Sequence, residues 1–254
     1  MGKVTSMKTK RPSTHPTKSK FAVVPDIGLK VHRTVKTSFS AFNQTFTFYC
    51  QNRSAANIAT SCLTYYHPMW DGRLTDGIDR SDVVIDVGAH MGFFAIPVST
   101  QVEKVIAYEP SPANFALLLR NIDKNSTYNV LASNRAVGDI DGPVSLNLGV
   151  QGTTGHSIVY KKRGGIKLEV ISQSITQVLR KYKPSVLKLD CEGAEWLILD
   201  RNNLSSFSKV RLMVVELHRV RQHNLPGLLK DLHHAGFKTH AKSNSWFTKL
   251  IAYR

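Results

Sequence analysis

From residue 82 onward, apolar residues come in short unbroken runs separated by stretches with helical spacing. Val83-Val84-Ile85-Asp86-Val87 is β-branched except at Asp86, as a strand covered on both faces of a parallel sheet requires. Gly88 to Gly92 breaks the run, and Phe93 to Ser99 reads as a helix. Val105 to Tyr108 predicts a second strand, ending at Glu109-Pro110. Ser111 then caps a helix with Pro112 in its first turn and an end near Asp123. Val130-Leu131 and Ala136-Val137 bracket a short third strand region, and three antiparallel pieces follow at Val144 to Leu148, Ser157 to Tyr160 and Ile166 to Ile171. A helix from Ser174 to Tyr182 leads into the strand Val186 to Asp190. Glu195 to Asp200 has helical spacing, and Val210 to Leu217 is another buried strand. Leu225 to Ala235 predicts a helix stopped by Gly236, and Phe237 to His240 with Trp246 to Ala252 predict a closing hairpin. Strands alternating with helices imply an α/β fold on a doubly wound, mostly parallel sheet.

Upstream of residue 81 the pattern changes. Residues 21–80 hold short apolar and aromatic pieces, Phe46 to Tyr49 and Leu63 to Tyr66, followed by Trp70-Asp71; they predict an N-terminal cap on a main domain of residues 81–254. Residues 1–20 carry Lys3, Lys8, Lys10, Arg11, Lys18 and Lys20, no acid and no periodicity, the composition of a disordered basic tail. Over the 254 residues, 34 Lys and Arg against 18 Asp and Glu leave a net charge of +16, which favours an anionic partner. With 42% hydrophobic residues the chain is neither collagen-like nor wholly disordered. Cys50, Cys62 and Cys191 are widely spaced and form no C-x-x-C pair. That excludes a disulfide framework or a zinc knuckle and predicts a reducing, cytoplasmic setting. No apolar run reaches the roughly 18 residues of a transmembrane segment, and the N-terminus lacks the apolar core of a secretory signal. Met1-Gly2 with Ser6 fits the loose N-myristoylation pattern, against which Lys3 counts.

Candidate chemistry concentrates at the strand ends. Asp86-Val87-Gly88-Ala89-His90-Met91-Gly92 is a glycine-bearing turn from strand to helix that lets the backbone approach a ligand. It is not the G-x-G-x-x-G of nicotinamide sites, and its leading acid suits a cationic amino-acid group or a ribose hydroxyl. Glu109 ends the next strand, 23 residues after Asp86, where an acid in nucleoside-binding folds accepts hydrogen bonds from both ribose hydroxyls. Asp139 follows the third strand, where an adenine edge would lie; a turn-forming aspartate is the alternative. Lys188-Leu189-Asp190-Cys191-Glu192-Gly193-Ala194-Glu195 sets two acids at a strand tip, which are costly to bury without a compensating cation, proton or ligand. Lys188 shares a face with Asp190 and would either lower a neighbouring carboxylate's pKa or neutralise the cluster. Glu216-Leu217-His218 ends the fifth strand.

With these segments in order, the chain resembles FkbM-type S-adenosylmethionine-dependent methyltransferases from about Ser81 to Arg254. The carrying motifs are Asp86 to Gly92, Glu109-Pro110-Ser111 with Asn114-Phe115 and Leu118, Ala136 to Asp139, Lys188 to Glu195, and Glu216 to His218. The resemblance implies a Rossmann-like methyltransferase fold, a seven-stranded, mostly parallel sheet with an antiparallel terminal strand, here with an N-terminal extension. It further implies S-adenosylmethionine as cofactor and O-methylation as the usual reaction. Cofactor contacts fall on Asp86, Gly88, His90, Gly92, Glu109, Pro110, Ser111, Asn114, Asp139 and Asp190, with His90 standing where the family generally has asparagine. Methyl transfer to a hydroxyl benefits from a base, for which Asp190, Glu192, Glu216 and His218 are the candidates, and no metal site is assigned. Three functions compete. The first is methylation of a small-molecule or glycan hydroxyl. The second is RNA methylation, with the tail, Lys161, Lys162, Arg163 and Lys167 on phosphates and Tyr160 or Trp246 stacking on bases. The third is a non-catalytic nucleoside-binding module.

Overall fold

A computed structural model describes residues 34–57, 77–149, 155–159, 166–219 and 224–254. The tail 1–20, Leu63 to Tyr66, Trp70, Asp71, Tyr160, Lys161, Lys162 and Arg163 lie outside the described residues. The strands are β1 (Val35–Ala41), β2 (Gln44–Cys50), β3 (Val83–Val87), β4 (Lys104–Tyr108), β5 (Val130–Ser133), β6 (Ala136–Gly138), β7 (Gly142–Asn147), β8 (Lys167–Ser174), β9 (Val186–Leu189), β10 (Leu212–His218), β11 (Lys238–Ser243) and β12 (Phe247–Tyr253). The helices are α1 (Ala95–Ser99), α2 (Pro112–Lys124), α3 (Ile175–Tyr182), α4 (Glu195–Ile198) and α5 (Leu225–His234). None of them is long and apolar enough to cross a membrane.

Seven strands form the main sheet in the order β11-β12-β10-β9-β3-β4-β5. The β3, β4, β5, β9 and β10 pairings are parallel, and β12 runs antiparallel to both β10 and β11. The expected doubly wound sheet with its antiparallel last strand is present, that strand lying between β10 and β11. The continuous apolar runs are explained by burial on both faces. Ile85, Val87, Ile106, Leu187, Leu189, Met213 and Val215 are at most 2% exposed and pack with Ile175, Val178 and Leu179 of α3 and Leu228 and Leu232 of α5.

The departures from the sequence reading have local causes. Val130-Leu131 and Ala136-Val137 belong to different sheets, because Asn134 Nδ2 donates to the Glu109 and Pro110 carbonyls (2.8 and 3.1 Å) and turns the chain between them. The resulting three-stranded sheet, β6-β8-β7, is mixed: β6 is parallel to β8 and β7 antiparallel. In place of a strand from Ser157, a single bridge joins Ser157 to Asn147. The helix expected from Phe93 begins at Ala95, after the glycine turn, and the one expected to reach Asp200 ends at Ile198.

The β1–β2 hairpin is fastened to α2 by asparagine side chains that complete its backbone. Asn121, fully buried, accepts from Tyr49 N (2.7 Å) and donates to the carbonyls of Tyr49 (3.1 Å) and Met91 (2.9 Å). Asn125 does the same for Thr47, at 2.9 and 2.8 Å. Asn121→Ala strands one buried and two partly buried backbone groups, so a loss of about 2–4 kcal/mol is expected in urea denaturation. A loss below about 1 kcal/mol would mean the hairpin is held by its apolar face alone.

Candidate active site

The parallel register places the site chemistry at the carboxyl ends of β3, β4, β9 and β10. Asp86 is the register partner of Lys188 on the neighbouring strand, so the two side chains share a face and form an ion pair at 3.0 Å, with 0% and 3% exposure. Lys188 Nζ also donates to the Gly88 carbonyl (3.0 Å) and lies 3.7 Å from Asp190 Oδ2. Burial pushes the Asp86 carboxyl above its usual range, with Lys188 opposing that shift. Asp86 Oδ2 has no hydrogen-bond partner among the described residues.

Beyond Val87 the chain turns through Gly88, at φ +79, whose N–H and that of Ala89 both donate to the Tyr108 carbonyl at 3.0 and 2.9 Å. A Cβ on Gly88 would stand 1.8 Å from the Asp190 carbonyl oxygen, so only glycine lets β3 and β9 end side by side here. His90 takes a left-handed φ of +53, and its N–H donates to Glu109 Oε2 (2.8 Å). Glu109 Oε1 accepts from Ser111 N (2.9 Å) and Asn114 Nδ2 (3.4 Å). Burial raises the Glu109 carboxyl to about 7, outweighing these donors and the Lys188 charge.

At the end of β9 a tight turn carries Asp190, Cys191 and Glu192, the last at a left-handed φ of +55. Glu195, fully buried at the start of α4, accepts from Cys191 N (2.6 Å) and Gly193 N (2.8 Å), and its Oε1 is 3.0 Å from His218 Nδ1. Ser157 Oγ donates to the Glu192 carbonyl (2.6 Å). His218 Nε2 lies 3.7 Å from both Glu192 Oε2 and Glu216 Oε1. Asp190, Glu216 and His218 each bring one polar atom within 4.8 Å of the others. Burial opposes the charge on His218, but Glu195, Asp190 and Glu192 outweigh it and raise the imidazole to about 10. At neutral pH the ring is therefore a cation shared among carboxylates.

These elements line an open cleft. Of the residues singled out from sequence, Gly88, His90, Glu109, Pro110, Asn114, Asp190 and Glu192 line it. Asp86 lies behind Lys188, Gly92 packs on Ile96 and Leu118, and Ser111 acts on Glu109 through its N–H. Glu216 and His218 stand behind the Asp190–Glu192 turn. Asp139 is exposed and outside the wall; Arg135, Ala136 and Val137 stand in the cleft instead, because the chain leaves the main sheet there. Leu146 and Ile158 complete an apolar wall from the three-stranded sheet, with His156 beside them. Sequence reasoning gave no role to Arg135, His156, Ser157 or Glu195. Glu195 alone left a trace, as an acid two residues after a glycine turn and in the first turn of a helix.

The sequence model of the methyltransferase FkbM domain matches residues 86–239, the stretch that carries all of this geometry. The chain belongs to the FkbM methyltransferase family. Its methyl donor is S-adenosylmethionine. The donor set fits that group: a paired acceptor at Glu109, a glycine turn that a Cβ would block, a buried Asp86 with an unsatisfied oxygen, and an apolar wall for a base. No curated relative matches the sequence. Solved structures with a similar fold include the precorrin-6y C5,15-methyltransferase of Geobacter metallireducens GS-15, at 13% identity and TM-score 0.42 over 70% of this chain and 82% of that one. Magnesium protoporphyrin IX methyltransferase from Synechocystis PCC 6803, with bound SAM, is 14% identical with TM-score 0.43, covering 78% of each chain. M. jannaschii TYW2, in complex with AdoMet, is 11% identical with TM-score 0.42, covering 87% and 86%. At these values the likenesses say nothing about this chain's acceptor.

Proposed function

We propose that this FkbM-family enzyme is an O-methyltransferase acting on a hydroxyl of a small molecule or glycan. The observation that carries the reading is the pair of carboxylates, Asp190 and Glu192, on the cleft wall. Such a pair accepts hydrogen bonds from hydroxyl groups and repels a phosphate backbone. S-adenosylmethionine supplies a methyl group on a sulfonium, already activated for transfer. The protein's share is to hold the ribose at Glu109 and Asn114, to seat the base against Val137, Leu146 and Ile158, and to fix the acceptor in line. Asp190 or Glu192 would take the hydroxyl proton while the methyl–sulfur bond breaks and the carbon–oxygen bond forms, the sulfur leaving as an uncharged thioether.

The net charge of +16 supports a second reading, RNA as acceptor. In that reading Lys167, exposed at the start of β8, would contact phosphates together with Lys161, Lys162, Arg163 and the tail. One experiment separates the two. The enzyme is incubated with methyl-labelled donor and with metabolite, glycan and RNA fractions, and the retained label is traced. Label in a base-stable ether of a metabolite or glycan is expected, and Asp190→Asn should reduce it about 100-fold or more while the fold survives. Label confined to RNA would replace this reading with the second, and unchanged turnover by Asp190→Asn would remove Asp190 from the chemistry.

A further inference from the structure

We infer that Glu195 is the positioning residue of the acceptor end of the cleft: its single buried carboxylate closes the Asp190–Gly193 turn and, through Nδ1, aims the His218 ring at Glu192 and Glu216. The inference rests on the O-methyltransferase reading only for what the turn serves; the geometry itself does not depend on the acceptor.

Glu195 is fully buried, and its two oxygens reach three donors on two elements. Oε2 accepts from Gly193 N at 2.8 Å, and Oε1 from Cys191 N at 2.6 Å, with His218 Nδ1 at 3.0 Å. The first two bonds close a turn that holds Glu192 at a left-handed φ of +55, a conformation that persists in a non-glycine residue only when its surroundings hold it. The third fixes the imidazole, since a ring whose Nδ1–H is donated to a carboxylate must present Nε2 on its other side. Nε2 then stands 3.7 Å from Glu192 Oε2 on the turn and 3.7 Å from Glu216 Oε1 on β10. One carboxylate thus sets both the backbone that carries Asp190 and Glu192 and the cation that stands between Glu192 and Glu216. Trp196 Nε1, donating to the His218 carbonyl at 2.7 Å, ties α4 to the same strand end.

The charged groups facing the ring are Glu195 from α4, Asp190 and Glu192 from the turn, and Glu216 from its own strand. Lys249 is the register partner of Glu216 on β12, where the Phe247 ring also stands 6.4 Å from the imidazole. Glu195 bonds both the ring and the turn. Losing its charge should therefore act on His218 beyond any loss of stability.

The test is Glu195→Gln in the full-length protein, read by long-range ¹H–¹⁵N spectra of the imidazoles across pH, with the His218 signal assigned by its disappearance in His218→Gln. In the wild type, His218 should stay doubly protonated through neutral pH. In Glu195→Gln its protonation midpoint should fall by about one pH unit or more, with loss of the Nδ1–H signal that hydrogen bonding protects. Titration of His218 unchanged in a folded Glu195→Gln overturns the inference, because a scaffolding carboxylate would alter the melting temperature alone. If Glu195→Gln fails to fold, the wild type decides. A neutral His218 at pH 7, or one protonated on Nε2 only, is incompatible with the assigned geometry. These readouts need no acceptor, so failure of the O-methylation reading and failure of this inference are separate outcomes.

Discussion

Gly88→Ala is expected to lose S-adenosylmethionine binding by about 100-fold or more and to cost the unliganded protein about 3 kcal/mol or more. Two terms add. An L-residue at φ +79 is strained by about 1–2 kcal/mol, and the new methyl would fall 1.8 Å from the Asp190 carbonyl oxygen, a backbone atom that cannot rotate aside. Relief requires the end of β3 and the end of β9 to separate, which spoils the cofactor turn and the Asp190 turn together. Gly142→Ala is the matched control. It also has a positive φ, +113, but a Cβ there meets nothing within 4 Å, so it should carry the dihedral strain of about 1 kcal/mol and leave donor affinity intact. Urea denaturation and calorimetric titration measure both quantities. Equal behaviour of the two variants would show that the collision is absorbed and that the close approach of the strands is unimportant.

Glu109→Ala is the second large effect. On the proposed ribose contact, its loss should weaken S-adenosylmethionine by about 1–3 kcal/mol, while Asn114, Ser111 N and His90 N lose their partner. The wild type should also show a pH signature that the variant lacks. Only the ionised carboxylate accepts from both hydroxyls, and burial holds this group to about 7. Donor affinity should therefore rise with pH by up to about tenfold per unit below 7 and level off above it. The sign for stability is the opposite. The folded state holds its proton from the ordinary value of 4.5 up to about 7, so the folded protein binds more protons than the unfolded chain in that window. Its stability falls as pH rises through it, and the cost is complete above 7. Calorimetry of wild type and Glu109→Ala between pH 5.5 and 8.5 tests the first statement. A flat wild-type profile would mean that Glu109 does not meet the ribose as a carboxylate.

Much of this protein can be read along its chain because the informative features are local. Val83 to Val87 and Val186 to Leu189 are apolar without alternation, and only a strand covered on both faces has that requirement. Period two puts Lys188 and Asp190 on one face, and the glycine turn after Val87 marks the cleft. Family membership follows from the same segments, since the match begins at Asp86.

Other features depend on which strands become neighbours. Asp86 and Lys188 are 102 positions apart in the chain and become an ion pair because β9 docks beside β3 in that register. The expected place of Asp139 follows from treating Ala136-Val137 as part of the third strand. Asn134 sends the chain into a second sheet, and Asp139 ends on the surface while Arg135 and Val137 face the cleft. His218 reads in the sequence as a candidate base, but Glu192 of the turn after β9 and Glu195 of α4 converge on it beside Glu216 of its own strand and make it a cation. The sequence by itself determined the strands, the glycine turn and the acids at strand tips, because periodicity and turn chemistry act over a few neighbouring residues. The tertiary structure decided the pKa shifts of Asp86, Glu109 and His218, and the makeup of the cleft wall, because burial and charge act between residues that only the packed sheet brings together.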